Sequence, residues 1–471
     1  MSEMTMNALS QPETCDILIR NGYVLTLDRE RRVFPSGAVA ISGNAIVAVG
    51  RDQDLAARFK PKRVLDAAGA PVHPGMIDPH VHTSTHLSRT AFPDDPKVKA
   101  PDLFARWFNA LQDEDEYANA LVVCVEMVRN GFTGAMEPGT VFEPDVLAAA
   151  ADAVGVRFTL SDPFMWDTTE GGNVLASQIQ RAPASGARTR EFLGKQLVRN
   201  KDTKGRIHAH VALYGSGSAT EELELEAKRL ADSNHTILNQ HQNFMPQQVA
   251  IDDKRFGGHT LLHFAKIGLL GRNCSFTHMN VVRDDEIDAI VQSGMSIVWQ
   301  PGNYQYYAVA QQQRSLMADL IERGVNISLG VDAAKIWTFG DMARVAYLVA
   351  RQGGGYISSE KLLEMQTIGA ARAIGLDDLI GSLEPGKRAD IVIRTNELAE
   401  AQPNLNVVIQ LMLLSLSRSV DTVLCNGEVI YRHGELTRLD EAVVYQQSRA
   451  SVTRMLGRLA IAPKTSWPTI Q

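Results

Sequence analysis

This sequence is short of several things, and each shortage excludes a class of protein. It holds only four cysteines, Cys15, Cys124, Cys274 and Cys425, widely scattered and without a C-x-x-C pair. That excludes a disulfide framework and a thiolate zinc site, and free thiols fit a reducing compartment. Basic charge is not in excess either: 47 Lys and Arg stand against 54 Asp and Glu, a formal net charge of −7. A nucleic-acid surface needs a basic stripe, and the one dense cluster, Lys60-Pro61-Lys62-Arg63, reads as a solvated turn. No apolar run is long enough to span a bilayer. The polar opening MSEMTMNALSQPETCD lacks the basic and apolar regions of a signal peptide. Repeats and low-complexity tracts are missing as well. What remains is an ordinary globular composition, 45% hydrophobic and 21% charged. It predicts a cytoplasmic enzyme of two or three structural units acting on a small molecule, with no nucleic acid and no membrane as partner.

What is present is organised in three blocks. Residues 1–14 read as a loose tail. From residue 16 come short alternating segments, DILIRNGYVLTLD, GAVAISGNAIVAVG and RVLDAAGAPVHPG, punctuated by the hairpin signals Asn21-Gly22 and Gly43-Asn44. From about residue 80 to 385 the period changes. Helical stretches such as 114–129 and 221–233 alternate with brief apolar strands at 77–82, 133–137, 157–161, 206–213, 236–240, 273–278, 295–300 and 326–330. Eight βα units in succession predict an α/β fold, a distorted (β/α)8 TIM barrel. After residue 385 β character returns in GKRADIVIRTN and VDTVLCNGEVIYRHGE, followed by a helix over 440–459. The two chain ends are expected to form one small composite β-sandwich beside the barrel. The predicted division is 1–72 for its first part, 73–388 for the barrel, and 389–471 for its second part plus the terminal helix.

In such a barrel, functional residues sit at the C-terminal ends of the strands. Here those ends read His82, Glu137, Asp162, Tyr214, His241, His278, Gln300 and Asp332. The stretch 74–86, PGMIDPHVHTSTH, adds His80 two positions before His82. On an extended segment such a pair points to one side. His80, His82, His241 and Asp332 together suit one divalent metal ion: three neutral imidazoles and a carboxylate, with room for a water. Zinc is the first expectation, and iron, cobalt or manganese would also accept this donor set. A carboxylate beside the metal water can carry its proton to a leaving group, the role expected of Asp332. His278 is expected to hydrogen-bond the substrate carbonyl and stabilise the oxyanion.

These motifs resemble the metal-dependent amidohydrolase superfamily, in its cytosine deaminase and atrazine chlorohydrolase-like branch. The matching pieces are PGMIDPHVH (74–82), NQH (239–241), FTHMN (276–280), SLGVDAA (328–334) and GSLEPGKRADIVI (381–393), in the family's order. The resemblance implies a distorted barrel with a composite β-sandwich, and metal ligands at His80, His82, His241 and Asp332. It also implies a homo-oligomer. Binuclear members carry a carboxylated lysine at the end of strand four; none stands there here, so one metal is expected. Ring deaminases of the branch place a glutamate three residues after the strand-five histidine, whereas this chain has Phe244. Phenylalanine cannot relay a proton. The sequence therefore predicts hydrolysis of an exocyclic amide, urea or (thio)carbamate C–N bond of an aryl or apolar substrate, as in the molinate and phenylurea hydrolase group. The alternatives are a deaminase or dechlorinase of an N-heterocycle and an inactive structural relative.

The expected substrate contacts are His86, Glu137, Trp166, Tyr214, Asn243, Asn303 and Trp337. Phe164, Tyr304, Tyr306 and Tyr307 join them as an aromatic mouth suited to an apolar substrate. His208 and His210 form a second His-x-His on strand four, read as structural because no other ligands accompany it.

Overall fold

The computed structural model describes residues 12–91, 100–333, 335–462, 467 and 468. Eight short strands run parallel around a barrel: Met76–Asp78, Phe132–Met136, Arg157–Leu160, Ile207–Ala209 continued by Val211–Gly215, Leu238–Gln242, Cys274–His278, Ser296–Trp299 and Asn326–Leu329. The ladder runs unbroken from strand one to the first half of strand four, and from its second half to strand eight. The break falls at His210, whose buried ring meets Thr159 Oγ1 at 3.1 Å. This interruption is the distortion of the barrel. Among the described residues His208 and His210 gather no further ligand.

Closure depends on strands one and eight. Asp78 accepts from the backbone N–H of His80 through Oδ1 and of Val331 through Oδ2, both at 2.9 Å. Asp332 N–H donates to His80 O at 2.8 Å, and a parallel bridge pairs Val81 with Asp332. Gly330 makes the approach possible: a Cβ there would lie 3.0 Å from the His80 Cβ and 3.2 Å from its carbonyl oxygen.

Both chain ends contribute to a single nine-stranded sheet beside the barrel. Its seam is the antiparallel pairing of Ile391–Arg394 with Pro71–Pro74, with Ile391 opposite Pro74 and Ile393 opposite Val72. Ile17, Ile19, Val39, Val72, Ile391 and Leu424 form one apolar layer, and Leu18, Ala38, Ala40 and Phe59 another. The expected tail is shorter than 1–14. Residues 1–11 lie outside the described residues, whereas Glu13 and Thr14 open strand Glu13–Leu25, where register with Phe59 and Lys60 holds them.

The helices follow their capping and burial patterns. Helix Glu221–Ser233 starts at Thr220, whose hydroxyl accepts from Leu223 N–H, and carries three glutamates in its first turn. It buries Leu223, Ala227 and Ala231 at the four-residue spacing of one helix face. Helix Glu441–Leu459, capped by Asp440, buries Val444, Ser448, Ser451, Met455 and Leu459. It lies against the barrel helix Asp113–Arg129, not the sheet, because buried Asp115 collects Ser451 Oγ at 2.8 Å and the guanidinium groups of Arg454 and Arg458.

The sheet is bolted to the barrel by a fully buried ion pair. Arg157 on strand three meets Asp390 twice, at 3.0 and 3.1 Å, and Asp390 also accepts from Asn426 N–H at 2.7 Å. Removing one member of such a pair strands a charge in a dry interior. Asp390→Ala should cost roughly 3–5 kcal/mol, seen as a lowered denaturation midpoint. The double change Arg157→Met with Asp390→Leu should cost clearly less than Asp390→Ala.

Candidate active site

Beyond strand one the chain stays extended through His80-Val81-His82, and both imidazoles turn inward. The Nε2 atoms of His80 and His82 lie 3.2 Å apart, and His241 Nε2 lies 3.2 Å from His82 Nε2. The His82 and His241 rings stack, with His80 edge-on to both. The opposite nitrogens are held from behind. His241 Nδ1 meets the Tyr214 carbonyl at 2.7 Å, so it must carry the proton. His82 Nδ1 meets Thr140 Oγ1 at 2.7 Å, and that hydroxyl donates in turn to the buried Glu137 carboxylate. His80 Nδ1 meets Thr277 Oγ1 at 3.1 Å.

Burial holds His80 and His241 well below the usual histidine range, the neighbouring imidazoles adding to it, and burial pushes His278 down to about 4. Neutral imidazoles whose Nδ1 atoms are engaged elsewhere turn lone pairs toward one point. Lone pairs facing each other at 3.2 Å repel unless a cation lies between them. His80, His82 and His241 thus form a site for one divalent metal ion; three histidines and a nearby carboxylate suit zinc.

Asp332 stands at the edge of this cluster, Oδ1 3.0 Å from His82 Nε2 and 3.8 Å from His80 Nε2. Its Oδ2 is held by the Asn303 side-chain amide. Asp332 and His278 both adopt left-handed backbone, φ 62° and 74°. That geometry is strained for residues other than glycine and turns both side chains off the strand direction into the site. His278 Nε2 lies 3.9 Å from Asp332 Oδ2, and Phe244 stacks on its ring with centroids 4.3 Å apart.

The cluster lies in a cavity of about 540 Å³ lined by His82, His241, His278, Asp332, Tyr214, Phe244, Asn303 and Tyr307, with Phe104 and Phe108 on its walls. Tyr214 and Asn303 are thus where the sequence puts them. The other expected contacts lie elsewhere. His86 is buried on a 3-10 turn against Glu126 at 2.9 Å and Arg89, because Thr83–Ser88 coils away from the barrel mouth. Trp166 and Trp337 donate their indole N–H groups to the carbonyls of Ala182 and Val331, at 2.8 and 2.9 Å, and support loops. Glu137 acts on His82 from behind Thr140. Asn243 donates to Val281 O at 2.8 Å and accepts from Gln242, outside the cavity. Of the expected aromatic mouth, Phe164 packs with Phe108, Phe142 and Trp166, and Tyr304 bonds Gln313 O at 2.5 Å.

Sequence reasoning missed Lys335, which lines the cavity. Its signal was available, a lone lysine three residues after Asp332. Thr140 and Thr277 were missed too, since a threonine carries no mark of its ring partner.

Two predictions follow from this arrangement. Thr140→Val leaves His82 without its brace and should weaken zinc binding about 10–100-fold, read by chelator competition. Glu224, buried behind strand five and hydrogen-bonded to Gln240, has its carboxyl raised by burial to about 8. A raised acid stabilises the fold while protonated and loses this contribution as pH rises from its unfolded value through about 8. Glu224→Gln should therefore gain stability relative to the parent between pH 5 and 8, by up to ~1.4 kcal/mol per pH unit.

The signature of the amidohydrolase family matches residues 72–430. The 5-methylthioadenosine/S-adenosylhomocysteine deaminase of Syntrophobacter fumaroxidans is 28% identical over 441 residues, covering 92% of this chain and 97% of that protein. An adenosine deaminase from Xanthomonas campestris, solved with bound zinc, superposes with a TM-score of 0.84 at 25% identity, covering 95% of this chain and all of that one. The zinc complex of atrazine chlorohydrolase from Arthrobacter aurescens shares the fold, with a TM-score of 0.80 at 21% identity over 93% of this chain and 100% of that one. With barrel, composite sheet, three-imidazole cluster and family signature in agreement, this chain belongs to the amidohydrolase family.

Proposed function

We propose that this amidohydrolase releases an amino group from a flat, apolar N-heterocyclic substrate by hydrolysis. The carrying observation is its end-to-end likeness to deaminases of adenine nucleosides. The aromatic walls of the cavity, Phe104, Phe108, Tyr214, Phe244 and Tyr307, support it as a slot for a ring. The sequence alone ranks an exocyclic amide or urea first; its relatives favour the ring.

The ligands proposed for the metal are His80, His82 and His241, with Asp332 beside them. A divalent ion held there would bring the pKa of a bound water down to ~7 and so would supply a hydroxide equivalent at neutral pH. Asp332 takes the proton of the attacking water and passes it to the departing nitrogen, which leaves as ammonia while the water oxygen stays on carbon. Asn303 keeps that carboxylate aimed by holding Oδ2. His278 is neutral and offers its N–H to the ring nitrogen or oxygen that gathers charge. Phe244 excludes water and carries no proton.

Phe244 is also the specific observation behind a second reading. With an aromatic ring over His278 where ring deaminases keep an acid, the chemistry left to Asp332 suffices for an exocyclic amide, urea or (thio)carbamate. The intact imidazole cluster speaks against an inactive relative. Self-association is part of the proposal and is measured by sedimentation.

Zinc-loaded protein should be assayed on aminopurine nucleosides, aminopyrimidines and aminotriazines, and on aryl ureas, carbamates and anilides. Ammonia release from the first group supports deamination, and Phe244→Glu should then raise kcat. Turnover confined to the second group overturns deamination in favour of the second reading. His82→Ala should abolish either activity; a fully active, metal-free variant would refute the metal mechanism.

A further inference from the structure

Lys335 is a buried cation held mainly by rings. Among the described residues it forms no ion pair with a carboxylate; the acid nearest in sequence, Asp332, is committed to His82 and Asn303. Instead its ammonium sits among four rings, Phe104 at 5.1 Å, Tyr306 at 5.4 Å, Tyr307 at 4.9 Å and Trp337 at 5.9 Å from their centroids. Ring faces attract an ammonium and hold it in place without neutralising it. Two long hydrogen bonds, to Asn303 Oδ1 at 3.4 Å and Ala333 O at 3.3 Å, engage two of its three donors.

The setting gives this charge a direction. Lys335 and Asp332 are the only formally charged side chains lining the cavity among the described residues. Asp332 lies at the floor beside the imidazoles, while the other lining groups are mostly apolar or amide. A divalent ion held by His80, His82 and His241 would outweigh the single negative charge of Asp332, so the loaded cavity would carry net positive charge. Burial depresses the ammonium pKa because water cannot solvate it fully, so an arriving anion replaces solvation that the fold does not provide.

We infer that Lys335 is a specificity-determining residue that binds a negatively charged oxygen group, a carboxylate, sulfonate or phosphate, on a substrate whose flat apolar body fills the rest of the cavity. This deepens the proposed function and rests on reading the cavity as the substrate site. The aromatic cage fixes the ammonium at the wall, one amide side chain away from Asp332, so the acceptor it binds is a group of the substrate other than the carbon attacked at the imidazole cluster. A lysine that served only to brace Asn303 would show no preference for the charge of a ligand.

The test needs no knowledge of the substrate. Zinc-loaded full-length protein is titrated with two fluorescent aryl probes of similar size, anilinonaphthalene sulfonate and uncharged phenylnaphthylamine. The wild type should bind the sulfonate more tightly. Lys335→Met should weaken sulfonate binding about ten- to a hundredfold, the value of a hydrogen bond to a charged group, and leave the neutral probe within twofold. Lys335→Arg should restore the preference, and unchanged melting temperatures would show both variants folded. Equal losses for the two probes, or sulfonate binding that survives Lys335→Met, overturn the inference while leaving the cavity as an aryl site. A wild type that binds neither probe overturns the cavity reading and the inference with it.

Discussion

The site depends on one junction, the closure of the barrel between strand one and strand eight. Asp78 grips both strands with its two oxygens, taking the N–H groups of His80 and Val331 at equal distances. The bridge between Val81 and Asp332 lies one step further along. Two imidazoles and the carboxylate, from residues about 250 apart in sequence, are thereby placed within 3–4 Å. Gly330 permits this approach, since any larger residue would meet the backbone and Cβ of His80.

The remaining parts adjust what the closure brings together. Thr140, Thr277 and the Tyr214 carbonyl hold the Nδ1 side of each imidazole, so the Nε2 side faces the centre. Left-handed backbone at His278 and Asp332 departs from strand geometry where side chains must converge. Such strain persists when surrounding hydrogen bonds over-determine it. Here Gln300 holds His278 N–H at 3.0 Å, and His80 O holds Asp332 N–H at 2.8 Å. The cavity above combines a polar floor with aromatic walls. Orientation of a substrate there falls to a few groups, chiefly Asp332, His278, Asn303 and Lys335.

Much of the architecture was legible because periodicity is a local property. The eight barrel strands lie where short apolar runs occur, within a few residues, and helix 221–233 matches Glu221–Ser233. The inward pair at His80 and His82 was legible for the same reason, since alternation along an extended chain is a local rule. The less local expectations fared worse. His86 lies four residues beyond His82, but the chain turns into a 3-10 coil and buries it against Glu126. Trp166 and Trp337 stand near strand ends, yet a backbone carbonyl claims each indole N–H. Asn243 follows His241 by two positions, but its left-handed backbone points its amide at Val281.

The sequence by itself determined the order of the elements, the donor types at the strand ends, and the lack of an acid at Phe244. All of these are written in residue identity and in the period of the pattern. Only the tertiary structure decided which donors meet, which threonines stand behind them, and that Lys335 faces the cavity within a cage of rings. The reason is physical. Periodicity fixes which way a side chain leaves a regular strand or helix, but the groups in question sit on loops and strained ends. There, direction is set by close packing and by hydrogen bonds to partners far away in the chain.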